Sequence, residues 1–169
     1  MANREQVRKQ MEADGVRYIL TQFVDIHGAA KVKLVPSSSF DGVIDNGAGF
    51  AGGSLFGMGQ GPNSHDMMAR IDLDTYTVLP WDSTVARFAS DLFVDDEPHP
   101  YCSRQHMKKV LGDIRSNGLV FNVGIEPEHF LVQRNNDGTI QIFDPADVDN
   151  LEKPCYDYKG ISGVLGYLK

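Results

Sequence analysis

A glycine-rich loop is the feature that most restricts how this chain folds. Residues 45–66, with the sequence DNGAGFAGGSLFGMGQGPNSHD, hold seven of the 17 glycines. Each glycine raises the conformational entropy lost on ordering, so we predict neither helix nor regular strand here. A loop of this length inside a compact domain is usually functional or mobile. We therefore predict a functional or mobile loop with Phe50 and Phe56 as its apolar anchors.

Two helices are predicted before the loop. Asn3 is a suitable N-cap with a glutamine three residues later, and Gly15 is a suitable stop, which predicts a helix over residues 4–14. Ser38, with an aspartate three residues later, is suited to cap a short helix that ends near Ile44.

A β-hairpin is predicted between these helices. Residues 16–25 and 29–36 are strand-like and flank the turn sequence IHG. In the second strand Lys31 and Lys33 alternate with apolar residues, so the strand has two chemically different faces.

Three further strands and a domain boundary are predicted after the loop. The strand-like runs are MARID, TYTVLPW and VARFASDLFV. Residues 95–105 contain two prolines and little apolar sequence, so we place the boundary there. The predicted domains are residues 1–100 and 101–169.

The second domain begins with the clearest helix of the sequence, residues 104–117, with Ser103 as its N-cap and Gly118 after its end. Apolar residues recur at helical spacing along it, namely Met107, Val110, Leu111 and Ile114. The run LVFNVGIEPEHFLVQ is predicted as a strand, and an NNDG turn returns the chain as TIQIF. In the tail, residues 152–169, the first turns of an amphipathic helix are predicted from Ile161, Val164, Leu165 and Leu168.

Charge and composition exclude several functional classes. The net charge of -7 argues against a nucleic-acid groove, which needs a basic face. The only cysteines, Cys102 and Cys155, form no CxxC pattern, so neither a zinc knuckle nor a disulfide framework is predicted. The N-terminus lacks the apolar region of a secretion signal, and no apolar run approaches the ~20 residues that span a bilayer. We expect a cytoplasmic protein with neither nucleic-acid nor membrane partners.

Two carboxylates lie one residue apart in the apolar run VGIEPEHFLV. In a strand Glu126 and Glu128 point to the same face, with β-carbons roughly 6 to 7 Å apart. Like charges so placed are unfavourable when desolvated unless a cation lies between them, which predicts a divalent metal site. Pro127 places the strand at a sheet edge or a distortion. The alternative is an edge strand whose glutamates face water, against which the apolar neighbours argue.

The octet GIEPEHFL resembles the first metal-binding strand of the glutamine synthetase family. The resemblance extends along the chain through DIHGAAKVKLVP, GAGFAGGS, MARIDLDTYTVLPW and KPCYDYKGISGVLGYLK. It is strongest to the subgroup of type III-like and γ-glutamylmethylamide synthetases. The fold that it implies is α+β, with an N-terminal β-grasp domain followed by the start of a catalytic domain of antiparallel sheet with helices.

The resemblance also implies an activity. Family members are ATP-dependent ligases that join the side-chain carboxylate of glutamate to ammonia or a small alkylamine through a γ-glutamyl phosphate. They are homo-oligomeric rings with active sites shared between subunits, and Glu126 and Glu128 would each supply a ligand to one of two Mg²⁺ or Mn²⁺ ions. The other site residues of the family lie beyond residue 169, so we expect an N-terminal fragment that is inactive alone. A non-catalytic β-grasp interaction module or an inactive paralogue is the alternative.

One departure from the family concerns the amine. Many members read Phe-Asp-Gly-Ser-Ser where this chain has Phe50-Ala51-Gly52-Gly53-Ser54, so the acid that helps bind ammonium is absent. The resemblance therefore favours an alkylamine, although related enzymes that use ammonia share the change.

Four weaker motifs are interpreted as structural. GAGFAG fits a dinucleotide fingerprint but is not predicted to follow a strand and open a helix. Asp25 and His27 are interpreted as turn residues. The remaining two, a catalytic set of Ser54, His65 and Asp66 and a calcium site at Asp72 and Asp74, lack the motifs that those sites require.

Overall fold

The computed structural model describes residues 2–128, 130–143 and 165–166. The chain divides into two compact units, Met1–Phe121 and Asn122–Lys169. The domain boundary placed near residue 100 from the sequence stays a prediction. Among the described residues, no helix combines the length and apolar character that a bilayer span requires.

A seven-stranded mixed sheet forms the body of the first unit. Its strands are β1 (Tyr18–Val24), β2 (Ala30–Pro36), β3 (Ala48–Phe50), β4 (Met67–Ile71), β5 (Thr77–Leu79), β6 (Asp82–Val94) and β7 (Glu97–Pro98). The order is β2-β1-β6-β4-β3, and β5 and β7 also pair with β6. β1 and β6 run parallel, whereas the other pairs are antiparallel. The predicted hairpin and the three strands after the loop are confirmed.

Three α-helices accompany the sheet: α1 (Arg4–Ala13), α2 (Phe40–Asn46) and α3 (Ser103–Ser116). α1 begins in a capping box. The Asn3 side chain accepts a hydrogen bond from the backbone N–H of Gln6, and the Gln6 side chain accepts one from the backbone N–H of Asn3. Val7 and Met11, one turn apart, are buried against the sheet. The first predicted helix and its cap are therefore confirmed.

The second predicted helix is present, but its predicted cap is wrong. Ser38 lies inside a 3₁₀ turn, Ser37–Ser39, and α2 starts only at Phe40. The residue before the helix, Ser39, makes no capping hydrogen bond with its side chain. Burial of Phe40 and Val43 positions this helix, so apolar packing replaces the cap that the local sequence suggested.

The core has two clusters that meet the sheet at different places. Near α1 and α2 the buried residues are Val7, Met11, Val16, Ile19, Phe40, Val43, Ala86 and Phe88. Near the glycine-rich loop they are Phe23, Met58, Met67, Ala69, Leu92 and Cys102. Alternate residues of β6 contribute to both clusters, as expected when one face of a strand is buried.

Strand β2 carries its charged residues on the core-facing side. Lys33 pairs across the strands with Thr21, and Lys31 pairs with Phe23, both of which are buried. Directly opposed residues share a face, so both lysines point to the core-facing side. The outer face carries the exposed apolar side chains Val24, Val32 and Leu34. Inward charges on an edge strand are a known protection against pairing with a foreign strand.

Helix α3 is attached to the sheet by polar contacts. Arg104 donates to Asp91 at 2.8 Å and to Asp72 at 2.6 Å, and Lys108 donates to Asp91 at 2.6 Å. The predicted helix and its C-terminal Gly118, with φ +73°, are confirmed. Ser103 is the first helical residue and not the N-cap. No residue of α3 is buried in the described chain, so its apolar stripe contributes no fully buried core residue.

The second unit contains a small hairpin of β8 (Val132–Arg134) and β9 (Ile140–Ile142). The predicted NNDG turn is confirmed, since Gly138 has φ +85° and donates to Asn135. The long strand predicted from residue 119 is wrong, because the described residues of this segment show regular pairing only from Val132 onwards. The predicted C-terminal amphipathic helix lies outside the described residues, except for residues 165–166, which are helical.

Candidate functional site

The carboxylate pair lies in an exposed segment without regular pairing. Glu126 and Glu128 are both exposed, and neither belongs to a strand. Val123 and Ile125 are 70% and 85% exposed, so the expected apolar surroundings of the pair are not present. The sequence argument depended on a strand that does not form at these residues.

The donor chemistry of this pair fits a hard divalent cation, because Mg²⁺ and Mn²⁺ prefer carboxylate oxygens. Two carboxylates alone are too few ligands to complete a metal site. Over the described part of the chain, no group of three or more His, Cys, Asp or Glu residues is placed to hold a metal ion. The assignment of Glu126 and Glu128 as ligands stays a prediction.

The glycine-rich stretch is more ordered than its composition predicts. Its first part forms strand β3, which pairs with β4, and Gly52–Ser54 forms a 3₁₀ turn. The expectation that no regular strand occurs there is wrong, because pairing with β4 satisfies the backbone groups of residues 48–50. We use the term glycine loop for residues 51–66, which join β3 to β4.

Close packing against other segments explains two glycines of this loop. Gly57 has φ +83°, and a β-carbon there would lie 2.5 Å from Cδ1 of Ile26 in the β1–β2 turn. Gly59 has φ +69°, and its β-carbon would lie 2.5 Å from Cε2 of Tyr101. Both positions therefore need a residue that tolerates positive φ and has no side chain.

The two predicted aromatic anchors behave differently. Phe50 packs edge-to-face on Phe23, with ring centroids 5.1 Å apart, and borders the second core cluster. Its role as an anchor is confirmed. Phe56 is 84% exposed and stacks on His27 at 5.3 Å, so it contacts the β1–β2 turn and not the core. Aromatic character alone does not distinguish these two environments.

Small residues line a cleft directly after Phe50. Ala51 and the Gly52–Ser54 turn form one side, and Gly61, Ser64 and Asp66 contribute to the other, around a volume of about 230 Å³. Ala51 has an apolar side chain, so the start of the loop brings no carboxylate to the cleft. The Asp66 side chain is exposed at its rim.

The C-terminal end of the glycine loop is held by an ion pair. Nδ1 of His65 lies 2.6 Å from Oδ1 of Asp95 in the β6–β7 turn. This hydrogen bond and the negative charge of the Asp95 carboxylate raise the pKa of His65 above its ordinary value. His65 therefore pairs with a distant aspartate, and not with Asp66 and Ser54 as a catalytic set would require.

Sequence reasoning missed Asp95. It and Asp96 adopt φ +53° and +64°, a left-handed conformation that aspartate tolerates better than most residues. Asp96 forms an ion pair with Arg70, so both carboxylates of this strained turn are used. The dipeptide Asp-Asp at a hairpin turn was the available signal. It gave no indication of which residues the turn would contact.

A wider cleft lies beside this ion pair. It has a volume of about 410 Å³, and its walls include Met58, His65, His99 and Tyr101. Burial lowers the pKa of His99, and its Nδ1 accepts a hydrogen bond from the Tyr101 amide at 3.1 Å. His99 is therefore a neutral core histidine that shapes the residues before α3.

Replacing Asp95 with asparagine is expected to lower the pKa of His65 towards the ordinary value of a histidine, because the charge that favours the imidazolium is removed. In the wild type the pKa is raised on folding. The stabilisation of the folded state by the His65–Asp95 pair is thus complete at pH values below the pKa of His65 in the unfolded chain. It is lost as the pH rises through the pKa of His65 in the folded chain. NMR titration of the His65 ring protons would measure the shift. Asp96→Asn is the matched control, and an equal shift in that variant would contradict the assignment.

The residues interpreted as structural have structural partners. Oδ1 of Asp25 accepts from the amides of Ala29 and His27, both at 2.9 Å, which lowers the pKa of this carboxyl. The interpretation of the turn is confirmed. Burial opposes ionisation of Asp72, but hydrogen bonds from Arg104 and the Asp74 amide keep its pKa below the usual value.

Comparison with known proteins defines the class of the fold. The profile described as glutamine synthetase, beta-Grasp domain, matches residues 15–95. These residues cover β1 to β6 with α2, the mixed sheet described above. Residues 15–95 therefore form a β-grasp domain of the glutamine synthetase family, and the predicted α+β class and β-grasp fold are confirmed.

The chain is similar to a glutamate–methylamine ligase and to glutamine synthetases. It is 44% identical over 160 residues to the glutamate–methylamine ligase of Methyloversatilis universalis. The aligned residues cover 94% of this chain and 36% of the relative. It is 34% identical over 147 residues to the glutamine synthetase of Rhizobium meliloti, covering 87% of this chain and 32% of that one. The solved structure of a GmaS/ADP complex (conformation 1) matches with a TM-score of 0.75 and 26% identity, over 96% of this chain and 38% of that one. The chain thus spans about a third of the length of these relatives.

Proposed function

We propose that this chain supplies the β-grasp part of an ATP-dependent ligase that joins the side-chain carboxylate of glutamate to a small amine through a γ-glutamyl phosphate. The observation that carries the proposal is the 44% identity to a glutamate–methylamine ligase, which extends over 94% of the chain. The similarity continues past the β-grasp residues into the carboxylate pair. We infer that residues 101–169 begin the catalytic domain.

The nucleophile that we propose is an alkylamine such as methylamine, in preference to ammonia. Ala51 is small and apolar where many family members have a carboxylate, which suits the alkyl group of such an amine. The surrounding glycines and Ser54 leave room for a small alkyl group in the cleft. The named activity of the relative in Methyloversatilis agrees with this choice.

We propose that Glu126 and Glu128 bind Mg²⁺ or Mn²⁺ together with groups outside the described residues. Bound divalent ions would neutralise phosphate charge on ATP and on the transferred phosphoryl group. The two side chains are exposed and so are accessible to such ligands. Nucleotide binding is supported by the ADP bound in the related GmaS structure.

We further propose a homo-oligomeric ring in which the β-grasp domain contacts the catalytic domain of a neighbouring subunit. The outer face of the β1–β2 hairpin supports this, because Val24, Val32 and Leu34 are 45%, 49% and 55% exposed on adjacent strands. A contiguous exposed apolar face is typical of an interaction site. A cytoplasmic location stays a prediction from the sequence.

Amine-dependent ATP hydrolysis by the full-length gene product tests the proposed function. With glutamate and Mg²⁺ present, we expect phosphate release that depends on added amine, with a higher kcat/KM for methylamine than for ammonium. Omission of glutamate is the control and should abolish the amine dependence. No turnover with ammonium, methylamine or ethylamine, from protein that is folded and oligomeric, would favour the non-catalytic β-grasp module.

A further inference from the structure

A single lysine joins the two opposite edges of the sheet. The strand order places β2 at one edge and β3 at the other. Nζ of Lys33 on β2 nevertheless donates to the carbonyl oxygen of Gly49 on β3, at 2.7 Å. The sheet must therefore be curled strongly enough for one lysine side chain to reach from one edge strand to the other.

We propose that Lys33 is a positioning residue for the amine-binding turn at residues 51–54. Gly49 and Phe50 directly precede that turn, so the position of their backbone determines the position of Ala51. Lys33 fixes the Gly49 carbonyl and also lies over the Phe50 ring, with Nζ 5.9 Å from the ring centroid. Phe50 also packs edge-to-face on Phe23.

The direction of the Lys33 side chain makes this contact specific. Lys33 pairs with the buried Thr21 and so points to the core-facing side of the sheet, unlike the usual outward lysine of an edge strand. Lys31 points to the same side, but its ammonium lies 3.4 Å from the carboxylate of Asp25 in the β1–β2 turn. Two lysines two residues apart thus hold different segments, and only Lys33 reaches β3.

The functional consequence rests on the proposed function, because it requires that residues 51–54 contact the amine. A loosened turn would weaken amine binding in the ground state and the transition state alike, which raises KM with little change in kcat. The KM values for glutamate and ATP are expected to stay the same. A general loss of stability would affect all three substrates.

Lys33→Met in the full-length protein tests the proposal, because methionine keeps the length of the side chain and loses the ammonium. We expect the KM for methylamine to rise about five- to tenfold, which corresponds to the loss of one charge-assisted hydrogen bond at an exposed position. Hydrogen–deuterium exchange of residues 49–57 is expected to accelerate in the same variant. Lys33→Arg should restore much of both properties. Lys31→Met is the matched control and should leave both near the wild-type values.

Each outcome has a definite meaning. Unchanged exchange and unchanged amine KM in Lys33→Met would overturn the proposal. Faster exchange with unchanged amine KM would also overturn the positioning role, since the turn would be held by Lys33 without contacting the amine. If the wild-type protein shows no amine-dependent turnover, the proposed function fails, and the exchange data show separately whether Lys33 holds the turn.

Discussion

Replacement of Glu126 or Glu128 by glutamine is expected to lower ligase turnover of the full-length protein at least ~100-fold. Residues that only support a metal ligand typically cost less than this when they are replaced. Glutamine keeps the shape of the side chain but removes the charge that would attract a divalent ion. Both side chains are exposed, so the free energy of unfolding should change by less than about 0.5 kcal/mol. Amine-dependent phosphate release and Mn²⁺ binding, followed by electron paramagnetic resonance, would measure the two effects.

Glu12→Gln is the matched control, because Glu12 is also an exposed glutamate and lies on α1, away from the carboxylate pair in the sequence. It should leave turnover and Mn²⁺ binding unchanged. Wild-type turnover in either Glu126→Gln or Glu128→Gln would contradict the assignment of metal ligands. Lost turnover with unchanged Mn²⁺ binding would assign that glutamate a role other than holding the metal.

Phe88→Ala is expected to lower the free energy of unfolding by about 3–5 kcal/mol, as for other aromatic residues removed from a core. The Phe88 ring is fully buried on β6, with ring centroids 5.9 Å from Phe40 and 5.5 Å from Tyr76. Its removal leaves a cavity between the sheet and α2 that these neighbours fill only in part. Urea denaturation followed by circular dichroism would measure the loss.

Phe56→Ala provides the matched control for this prediction. It removes the same side chain at an 84% exposed position, so we expect a change within about 0.5 kcal/mol. Phe88→Leu should give an intermediate loss, because leucine fills part of the cavity. Similar losses for Phe88→Ala and Phe56→Ala would contradict the assigned core.

Local chemistry explains which elements were predictable. Asn3 and Gln6 can satisfy the first amides of α1 without any distant partner, so the sequence alone identifies that helix start. The NNDG turn is predictable for the same reason, since its hydrogen bonds join residues within five positions. Ser38 shows the limit, because a serine at a suitable spacing did not become a cap once Phe40 and Val43 had packed on the sheet.

The candidate site was predictable only in part. The sequence marked Glu126 and Glu128 as candidates by their spacing and Ala51 by its departure from the family pattern, and these assignments stay predictions. It assigned the pair to a buried strand because apolar neighbours usually indicate burial, yet Val123 and Ile125 are exposed in this chain. Periodicity shows which residues share a face, but it does not show what covers that face.

The sequence by itself determined the start of α1 and the two hairpin turns, because each of these depends on residues close together in the chain. It also indicated the family, through motifs spread along the chain. Only the tertiary structure decided how the glycine loop is held. Lys33 reaches Gly49 across 16 positions, and His65 reaches Asp95 across 30. The first contact forms because the sheet curls and brings its edges together, and that curvature results from the packing of the whole core and from no single segment of sequence. The second forms because β4 and β6 are neighbouring strands, which places the residues just beyond their paired ends side by side.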